Sequence, residues 1–427
     1  MLHNANELAI LAEALQRLDA SFADLPAFHS EVDPGRLRAT LLATADRLRE
    51  TFPFPHPLYV GQMLKPPHPV ARLAYTLALG LNPNNHALDG GPASSHMEKE
   101  AVADLARMFG WNAHLGHLSS GGTFANFEAL WIARELRPGR KVVASARAHY
   151  THERLSSVLQ MPFDRVPVDA LGRMDVAALD AMLAQGDIGT VVVTLGTTAA
   201  GTVDPLGDIL ELRRRHDFRV HVDAAYGGYF TLATNLSPAT RAAFDALAEV
   251  DSLVVDPHKH GLQPYGCGCV LFRDPSVGRF YRHDSPYTYF SSDELHLGEI
   301  SLECSRPGAS AVALWATHQL LPPIPGCEFA RSLTASREAA LTLWRWLDED
   351  PRFSPIYEPE LDIVVWSVRG TSARAVFESA AREGLHLAMT TLPGVGTCLR
   401  ACTMKPEHRE WMPEILRRLD AAARAPA

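Results

Sequence analysis

Residues 253–261 read as an apolar strand that ends in a polar turn, and the turn carries one lysine, Lys259. The chain carries nearly all of its basic charge on arginine. Its only lysines are Lys65, Lys99, Lys141, Lys259 and Lys405. A lysine among cations and apolar walls can lose its proton and attack a carbonyl group to form an imine, whereas arginine stays protonated. Lys259 is therefore a candidate nucleophile; the alternative is that it only caps a strand at the surface.

A second apolar strand, residues 219–223, delivers the carboxylate of Asp223 at its C-terminal end. A buried acid needs a cationic partner. The ring nitrogen of a pyridine cofactor can supply one, because an ionised Asp223 would keep that nitrogen protonated and make the ring an electron sink. Ala225 lies two residues further on the same face, where its methyl group leaves room for a flat ring. With an imine-forming lysine, this pattern indicates pyridoxal phosphate; the alternative for Asp223 is a helix N-cap.

Three further segments could complete such a site. Small residues at 119–122 precede a predicted helix at 124–137, and the free N–H groups at a helix start favour a phosphate. His149 follows a predicted strand at 141–145 and could stack on the cofactor ring from the face opposite the alanine. Thr198 follows a buried strand and could reach a cofactor oxygen. Taken singly, the glycine turn is a commonplace helix start and the histidine an ordinary loop or core residue.

In their order and spacing, these segments resemble the group II pyridoxal-phosphate-dependent amino-acid decarboxylases, a branch of the fold type I enzymes. The Asp-x-Ala-Tyr-Gly-Gly segment at 223–228 and the Pro-His-Lys segment at 257–259 carry most of the resemblance. It extends over most of the chain, from the His-Pro segment at 56–57 to residues 398–401. The resemblance implies pyridoxal phosphate as cofactor, an amino acid as substrate and a homodimer.

The resemblance also implies a role for each motif residue. Lys259 would form the imine with the cofactor, Asp223 would pair with the pyridine nitrogen and His149 would stack on the ring. Gly122, Thr123 and His258 would hold the phosphate. Thr198 would lie near the phenolic oxygen. Arg400 matches the family's arginine for the substrate α-carboxylate, and Gln62 matches an amide that contacts the substrate.

Two positions depart from the family pattern. His260 stands where relatives often carry an aromatic residue, and Phe124 stands where many carry an acid. These departures leave the identity of the substrate open. Residues 281–297 are polar and aromatic with no helical or strand period, which fits either a surface excursion or a lid over the substrate. In the second case Tyr287 or Tyr289 would return a proton to the carbanion.

The spacing of apolar residues predicts an α/β protein. From residue 92 to about residue 320, continuous apolar strands alternate with helices, which indicates a mostly parallel sheet with helices on both faces. Ligands of such sheets bind beyond the carboxyl ends of the strands. We expect an N-terminal helical segment at 1–75, a large cofactor-binding domain at 76–322 and a small α+β domain at 323–427, with a proline-rich boundary at 320–326.

Composition narrows the function classes. The chain has 427 residues, 47% of them apolar and 21% charged, as in a globular protein of two or three domains. Its net charge of −9 argues against binding to nucleic acid, which needs clustered basic residues. The start shows no basic stretch followed by an apolar core, and no apolar run could span a bilayer, so a cytoplasmic location and no membrane contact are expected.

The six cysteines show neither a disulfide framework nor a paired zinc spacing, so reduced thiols and no metal site are expected. The reaction that these observations favour is decarboxylation of an L-amino acid to the amine and carbon dioxide. Two alternatives stay open: an aldehyde-lyase of the sphingosine-phosphate-lyase type, and a catalytically idle protein that only binds the cofactor.

Overall fold

The computed structural model describes residues 4–26, 31–282 and 301–424. Its larger part is built on a seven-stranded sheet with the strand order β1, β7, β6, β5, β4, β2, β3. The strands are β1 Leu115–Ser119, β2 Lys141–Ser145, β3 Phe163–Val166, β4 Ile188–Thr194, β5 Arg219–Asp223, β6 Ser252–Val255 and β7 Gly268–Phe272. All neighbouring pairs are parallel except that β7 runs antiparallel to both β6 and β1. The prediction of a mostly parallel α/β sheet is confirmed.

The helices of the described residues pack on both faces of this sheet and around a smaller one. They are α1 Ala5–Ala20, α2 Pro34–Leu48, α3 Pro69–Leu79, α4 Pro92–Met108, α5 Gly122–Leu136, α6 Thr151–Val158, α7 Val176–Leu183, α8 Leu206–Glu211, α9 Pro238–Asp245, α10 Gly308–Leu320, α11 Glu328–Glu349, α12 Ala373–Arg382 and α13 His408–Arg424. Short 3₁₀ turns lie at Leu88–Gly90, Leu212–Arg214, Gly228–Leu232, Ala246–Glu249 and Pro275–Phe280. In the part of the chain that the structure covers, no helix has the length and apolarity of a membrane span.

The central strands are apolar throughout because both faces of the sheet are covered. Every residue of β4 is buried. Val191 and Val193 point into one apolar cluster, while Val192 between them packs into another with Leu130 of α5 on the opposite face. Burial on both faces is the reason that these strands lack the polar alternation of a half-exposed sheet.

The C-terminal part is a four-stranded antiparallel sheet with the order β10, β11, β9, β8. Its strands are β8 Phe353–Pro355, β9 Ile363–Val368, β10 Ala388–Leu392 and β11 Gly396–Cys402. The helices α11, α12 and α13 cover it, with Trp366 fully buried in its core. The predicted small α+β domain is confirmed as a fold element. Leu58 and Val60 also belong to this core. The Val60 N–H donates to His386 O at 2.9 Å and so holds this segment against the small domain.

The N-terminal helices α1 and α2 have no buried residue. Their apolar side chains include Leu8, Ile10, Leu41 and Leu42, each at least half exposed. An ion pair between Glu7 and Arg72, 3.2 Å long, connects α1 to α3, which packs against α10. The outermost helices therefore carry apolar surface that the described part of this chain does not cover.

The lysines are unevenly distributed between the surface and the interior. Lys65 and Lys405 are buried where the N-terminal segment meets the small sheet, and their amines donate to Met404 O at 3.5 Å and to Tyr59 O at 2.6 Å. Burial lowers the pKa of both amines to about 8. Lys259 is also largely enclosed, with 22% of its side chain exposed.

Candidate active site

A cavity of about 650 Å³ opens beyond the carboxyl ends of β4, β5 and β6. This is where ligands of parallel sheets bind. Eight of the predicted site residues line it: Gly122, Thr123, His149, Thr198, Asp223, Ala225, His258 and Lys259. The remaining two, Gln62 and Arg400, are outside this lining, but Arg400 donates to the Thr198 carbonyl and to Gln62 Oε1. The structure therefore brings residues from five separate segments to one cavity, close to Gln62 of the N-terminal segment and Arg400 of the small sheet.

Lys259 contacts a carboxylate that the sequence analysis did not single out. Its Nζ lies 2.9 Å from Oδ2 of Asp256, the residue that follows β6. Burial by itself would lower the pKa of the lysine, but Asp256 and then Asp223 outweigh burial, so the pKa is raised. The expectation of cations around Lys259 was wrong. Its chain neighbours His258 and His260 have lowered pKa values, and its charged partners are acids.

Asp223 is buried at the end of β5 and is held as an anion. Its Oδ2 lies 2.8 Å from His152 Nε2 and 3.4 Å from Asn126 Nδ2, and its Oδ1 accepts the Ala225 N–H at 3.1 Å. Burial by itself would raise the pKa of the carboxyl, but the hydrogen bond and charge of His152, followed by Lys259, hold that pKa well below its usual range. Asp223 thus presents a fixed negative charge to the cavity.

A second histidine orients the amide of Asn126. His221 Nε2 lies 2.8 Å from Asn126 Oδ1, and His221 Nδ1 lies 2.9 Å from Ser252 Oγ. Burial lowers the pKa of His221 to about 3, so the ring is neutral. With the Nε2 proton donated to Oδ1, the amide nitrogen of Asn126 faces Asp223, and the carboxylate is held by an ordered chain of side chains.

The start of α5 comes close to both Asp256 and Ala225. Gly121 has a φ of +153° and caps the helix without a side-chain hydrogen bond. A Cβ on Gly122 would lie 2.8 Å from Asp256 Oδ2 and 3.2 Å from the Ala225 Cβ, which explains why glycine stands there. First-turn N–H groups have no partner inside a helix, so this cavity edge suits an anion.

Two histidines and a tyrosine form more of the wall. Burial lowers the pKa values of His149 and His258, so both rings are neutral. His258 Nδ1 donates to Cys267 O at 2.8 Å, and the ring of Tyr265 packs against it with centroids 4.8 Å apart. His149 Nδ1 lies 2.8 Å from Thr151 Oγ1. The predicted lid tyrosines, Tyr287 and Tyr289, lie outside the described residues.

Arg400 is buried on β11 and is bound by three oxygens. Its Nη1 donates to Thr198 O at 2.7 Å, and its Nη2 lies 3.2 Å from both Gly61 O and Gln62 Oε1. Two of these acceptors are backbone carbonyls, which leave no trace in a sequence. The side chain of Arg400 is therefore held against Thr198, which lines the cavity, by the N-terminal segment and the turn after β4.

Residues 68–369 match the family model described as the pyridoxal-dependent decarboxylase conserved domain. The chain belongs to the pyridoxal-dependent decarboxylases. The match covers more than half of the sequence and includes every cavity-lining residue named above. This decarboxylase is a carboxy-lyase whose cofactor is pyridoxal phosphate, and the resemblance to the group II family is confirmed.

Named relatives agree with the family. The decarboxylase is 31% identical over 367 residues to a probable L-aspartate decarboxylase of Halobacterium salinarum, covering 85% of this chain and 96% of that protein. It is 29% identical over 344 residues to a probable L-tyrosine/L-aspartate decarboxylase of Methanocella arvoryzae, covering 79% and 87%. The crystal structure of mouse CSAD has a similar fold, with a TM-score of 0.81, 21% identity and coverage of 96% and 92%.

The cavity fits pyridoxal phosphate on structural grounds alone. Asp223 is a buried anion whose charge suits a protonated pyridine nitrogen. The uncapped start of α5 suits a phosphate, and the amine of Lys259 lies in the same cavity. A buried anion, a helix start and an amine, each suited to one part of the cofactor, therefore meet in one cavity. Sequence reasoning missed Asp256, His152 and Asn126, although each lies within three residues of a residue that it singled out.

Proposed function

We propose that this decarboxylase converts an L-amino acid to its amine and carbon dioxide. The observation that carries the proposal is the pairing, in one cavity, of a buried ionised Asp223 with the amine of Lys259. When bound, pyridoxal phosphate supplies an electron sink for the charge left on the α-carbon. An aldehyde-lyase would use a similar cavity, but the matched family and the named relatives are decarboxylases and do not favour it.

Each cavity residue has a role in this proposal. Lys259 attaches the cofactor covalently, and Asp223 keeps the pyridine nitrogen protonated. His149 and Ala225 lie against the ring, and Thr198 lies near the phenolic oxygen. The phosphate is held at the start of α5 by Gly122, Thr123 and His258. The support for these roles is that all eight residues line this cavity, where Asp223 presents a negative charge and Lys259 presents its amine.

Arg400 and Gln62 are proposed to bind the substrate carboxylate. A guanidinium has five N–H donors, and three hydrogen bonds of Arg400 go to protein oxygens. The buried Nε has no partner among the described residues. A carboxylate at the cavity edge can take the free Nη1 proton, and it can take a second if the amide of Gln62 turns away from Nη2. Gln62 would then exchange one hydrogen bond for another with the substrate.

Arg400→Met should strongly reduce carbon dioxide release, because the carboxylate would lose a charge-assisted hydrogen bond. The ratio kcat/KM should fall by roughly a hundredfold or more. Amines without a carboxylate should bind as tightly as they do to the wild type, measured by the change in cofactor absorbance. Arg409→Met is the matched control, since Arg409 is an exposed arginine paired with Glu338. Normal decarboxylation by Arg400→Met would remove the carboxylate role.

The substrate side chain is proposed to be aromatic. Lys259 is the only lysine or arginine in the described cavity lining, so among the described lining residues a second carboxylate, as in aspartate, would meet no cation apart from the lysine proposed to attach the cofactor. Phe124, Phe127 and Leu155 provide apolar surface, with the two phenyl rings 5.7 Å apart, and Tyr265 adds another ring. Phe124, which stands where many relatives carry an acid, thus lies in the wall of the cavity.

The experiment that tests the function measures carbon dioxide and amine from the twenty amino acids, diaminobutyrate, ornithine and 3,4-dihydroxyphenylalanine. We expect equimolar products, with tyrosine or another aromatic substrate ahead of aspartate. A preference for aspartate would overturn the proposed side-chain class and leave the reaction intact. Cleavage of a sphingoid phosphate without release of carbon dioxide would overturn the reaction itself.

The decarboxylase is also proposed to form a homodimer. The apolar side chains of α1 and α2, which the described part of one chain leaves exposed, support this proposal. Apolar surface left exposed on outer helices can mark a contact with another chain.

A further inference from the structure

Asp362 is a fully buried carboxylate at the start of β9, where the small sheet meets the large one. Its Oδ1 accepts a hydrogen bond from the Tyr226 hydroxyl at 2.6 Å. Its Oδ2 lies 3.3 Å from His260 Nε2. The His260 ring is itself packed edge-on between Tyr226 and Phe230, with centroids 4.8 and 4.9 Å away. Asp362 therefore contacts two side chains of the large domain at once.

Both of these side chains are chain neighbours of the central cavity residues. Tyr226 is three residues after Asp223 and also lines the cavity, while His260 directly follows Lys259. Any shift of Asp362 relative to the large domain must therefore be taken up next to the two residues that are proposed to hold the cofactor.

The backbone of Asp362 leads to the substrate side. Its carbonyl accepts from the Thr403 N–H at 2.8 Å and from Thr403 Oγ1 at 3.1 Å. Strand β9, which starts at the next residue, pairs with β11 so that Val365 is opposite Arg400. Asp362 thus connects the turns after Asp223 and β6 to β11, the strand that carries Arg400.

A buried carboxylate at this contact costs free energy of folding, so a further role would explain its presence. Burial raises the pKa of Asp362 to about 6, against the opposing effects of the Tyr226 hydrogen bond and of Lys65. His260 is neutral, since burial holds its pKa well below its usual value and the charges of Lys65 and Lys259 add to that effect. A buried acid with one good hydrogen bond is rarely the most stable choice for an interface, and a role in specifying geometry is one reason to keep it.

We propose that Asp362 is a positioning residue that sets where Arg400 stands relative to Asp223 and Lys259. This inference rests on the proposed role of Arg400 as the carboxylate-binding residue. The departure at His260 lies beside this carboxylate, where Nε2 is 3.3 Å from Oδ2 without the geometry of a hydrogen bond. Asp362 acts through the pairing of β9 with β11, so we expect its largest effect on carboxylate binding, with the cofactor still attached to Lys259.

In the holoenzyme, Asp362→Ala should raise KM for the amino acid about tenfold and change kcat by about twofold or less. The affinity for amines that lack a carboxylate should stay unchanged. Asp362→Asn keeps an acceptor for the Tyr226 hydroxyl and should recover part of the lost affinity. Hydrogen–deuterium exchange should quicken in residues 396–402. If Asp362→Ala fails to fold, Tyr226→Phe, which keeps the ring, should show the same changes to a smaller extent.

Glu360→Ala is the matched control. Glu360 lies two residues away and also crosses to the large domain, but its contacts are with Val203 N and Thr240 Oγ1, away from the cavity lining. This control should leave KM and the exchange of residues 396–402 unchanged. Equal effects of Glu360→Ala and Asp362→Ala would overturn the inference, because any loosening of the interface would then suffice.

A double variant separates this inference from the proposed function. Arg400→Lys should raise KM by itself, and adding Asp362→Ala should raise it no further, since residues that act through one another are not additive. If Arg400→Lys leaves KM normal, the proposed role of Arg400 fails. If Arg400→Lys raises KM while Asp362→Ala changes neither KM nor the exchange of residues 396–402, the positioning role alone fails. Full additivity of the two KM effects would also overturn it.

Discussion

Borohydride reduction of the holoenzyme should attach the cofactor to Lys259 and to no other residue. Lys259 is the only lysine that lines the cavity in the described part of the chain. Lys259→Ala should lower turnover by roughly a thousandfold or more, because removing one member of a catalytic unit removes nearly all of its effect. Peptide mapping by mass spectrometry locates the label, and carbon dioxide release measures turnover.

Lys141→Met is the control for this experiment. Lys141 starts β2 and is paired with Asp164 and Asp187 at 2.6 and 2.8 Å, away from the cavity lining. The control should keep its label at Lys259 and its normal turnover. A label on Lys65, Lys99, Lys141 or Lys405 in the wild type would show that the attachment site is elsewhere.

Asp223→Asn should keep the cofactor bound and lower kcat by roughly a hundredfold or more, on the scale of lost electrostatic stabilisation. His152 and Lys259 hold the pKa of Asp223 low despite its burial, so the wild-type residue is charged throughout the neutral range. A neutral amide cannot keep a pyridine nitrogen protonated. Steady-state kinetics together with cofactor dissociation constants separate loss of chemistry from loss of cofactor.

The same substitution at another buried acid is the comparison. Asp204 is fully buried near the end of β4, where its two oxygens accept the N–H groups of Met174 and Thr194 at 2.7 and 2.8 Å. Asp204→Asn should lower the thermal stability and leave kcat of the folded protein near normal. Near-normal kcat in Asp223→Asn would remove the proposal that this carboxylate maintains the electron sink.

Local sequence patterns predicted the elements that position the site. The predicted strand at 141–145 has the observed bounds of β2. Asp223, Thr198 and Lys259 were expected at the carboxyl ends of strands, and they line one cavity there. These predictions succeed because a strand end is set by neighbours in the chain. The antiparallel direction of β7 was not predicted, since an apolar run has the same composition in either direction.

The hydrogen-bond and ion-pair partners of the site residues were harder to predict from the sequence. Asp256 stands three residues before Lys259, and this spacing within the turn could have identified it. His152 stands three residues after His149, but its contact with Asp223 depends on how α6 packs on the sheet. The link from Asp362 to Tyr226 spans 136 positions in the chain, and no local pattern encodes such a contact.

The uneven placement of the lysines affects how selectively this enzyme is modified by aldehydes. Aldehydes condense with deprotonated, accessible amines, and the two lysines of lowered pKa, Lys65 and Lys405, are buried. Lys141 has a raised pKa because its two carboxylate partners stabilise its charge. The pKa of Lys259 is also raised, but this lysine lies in the cavity that fits the cofactor, so binding there brings the aldehyde to its amine. Excess pyridoxal phosphate or a metabolic aldehyde therefore meets few reactive side-chain amines on the described surface. Loading with the cofactor should thus be close to stoichiometric even when the aldehyde is abundant.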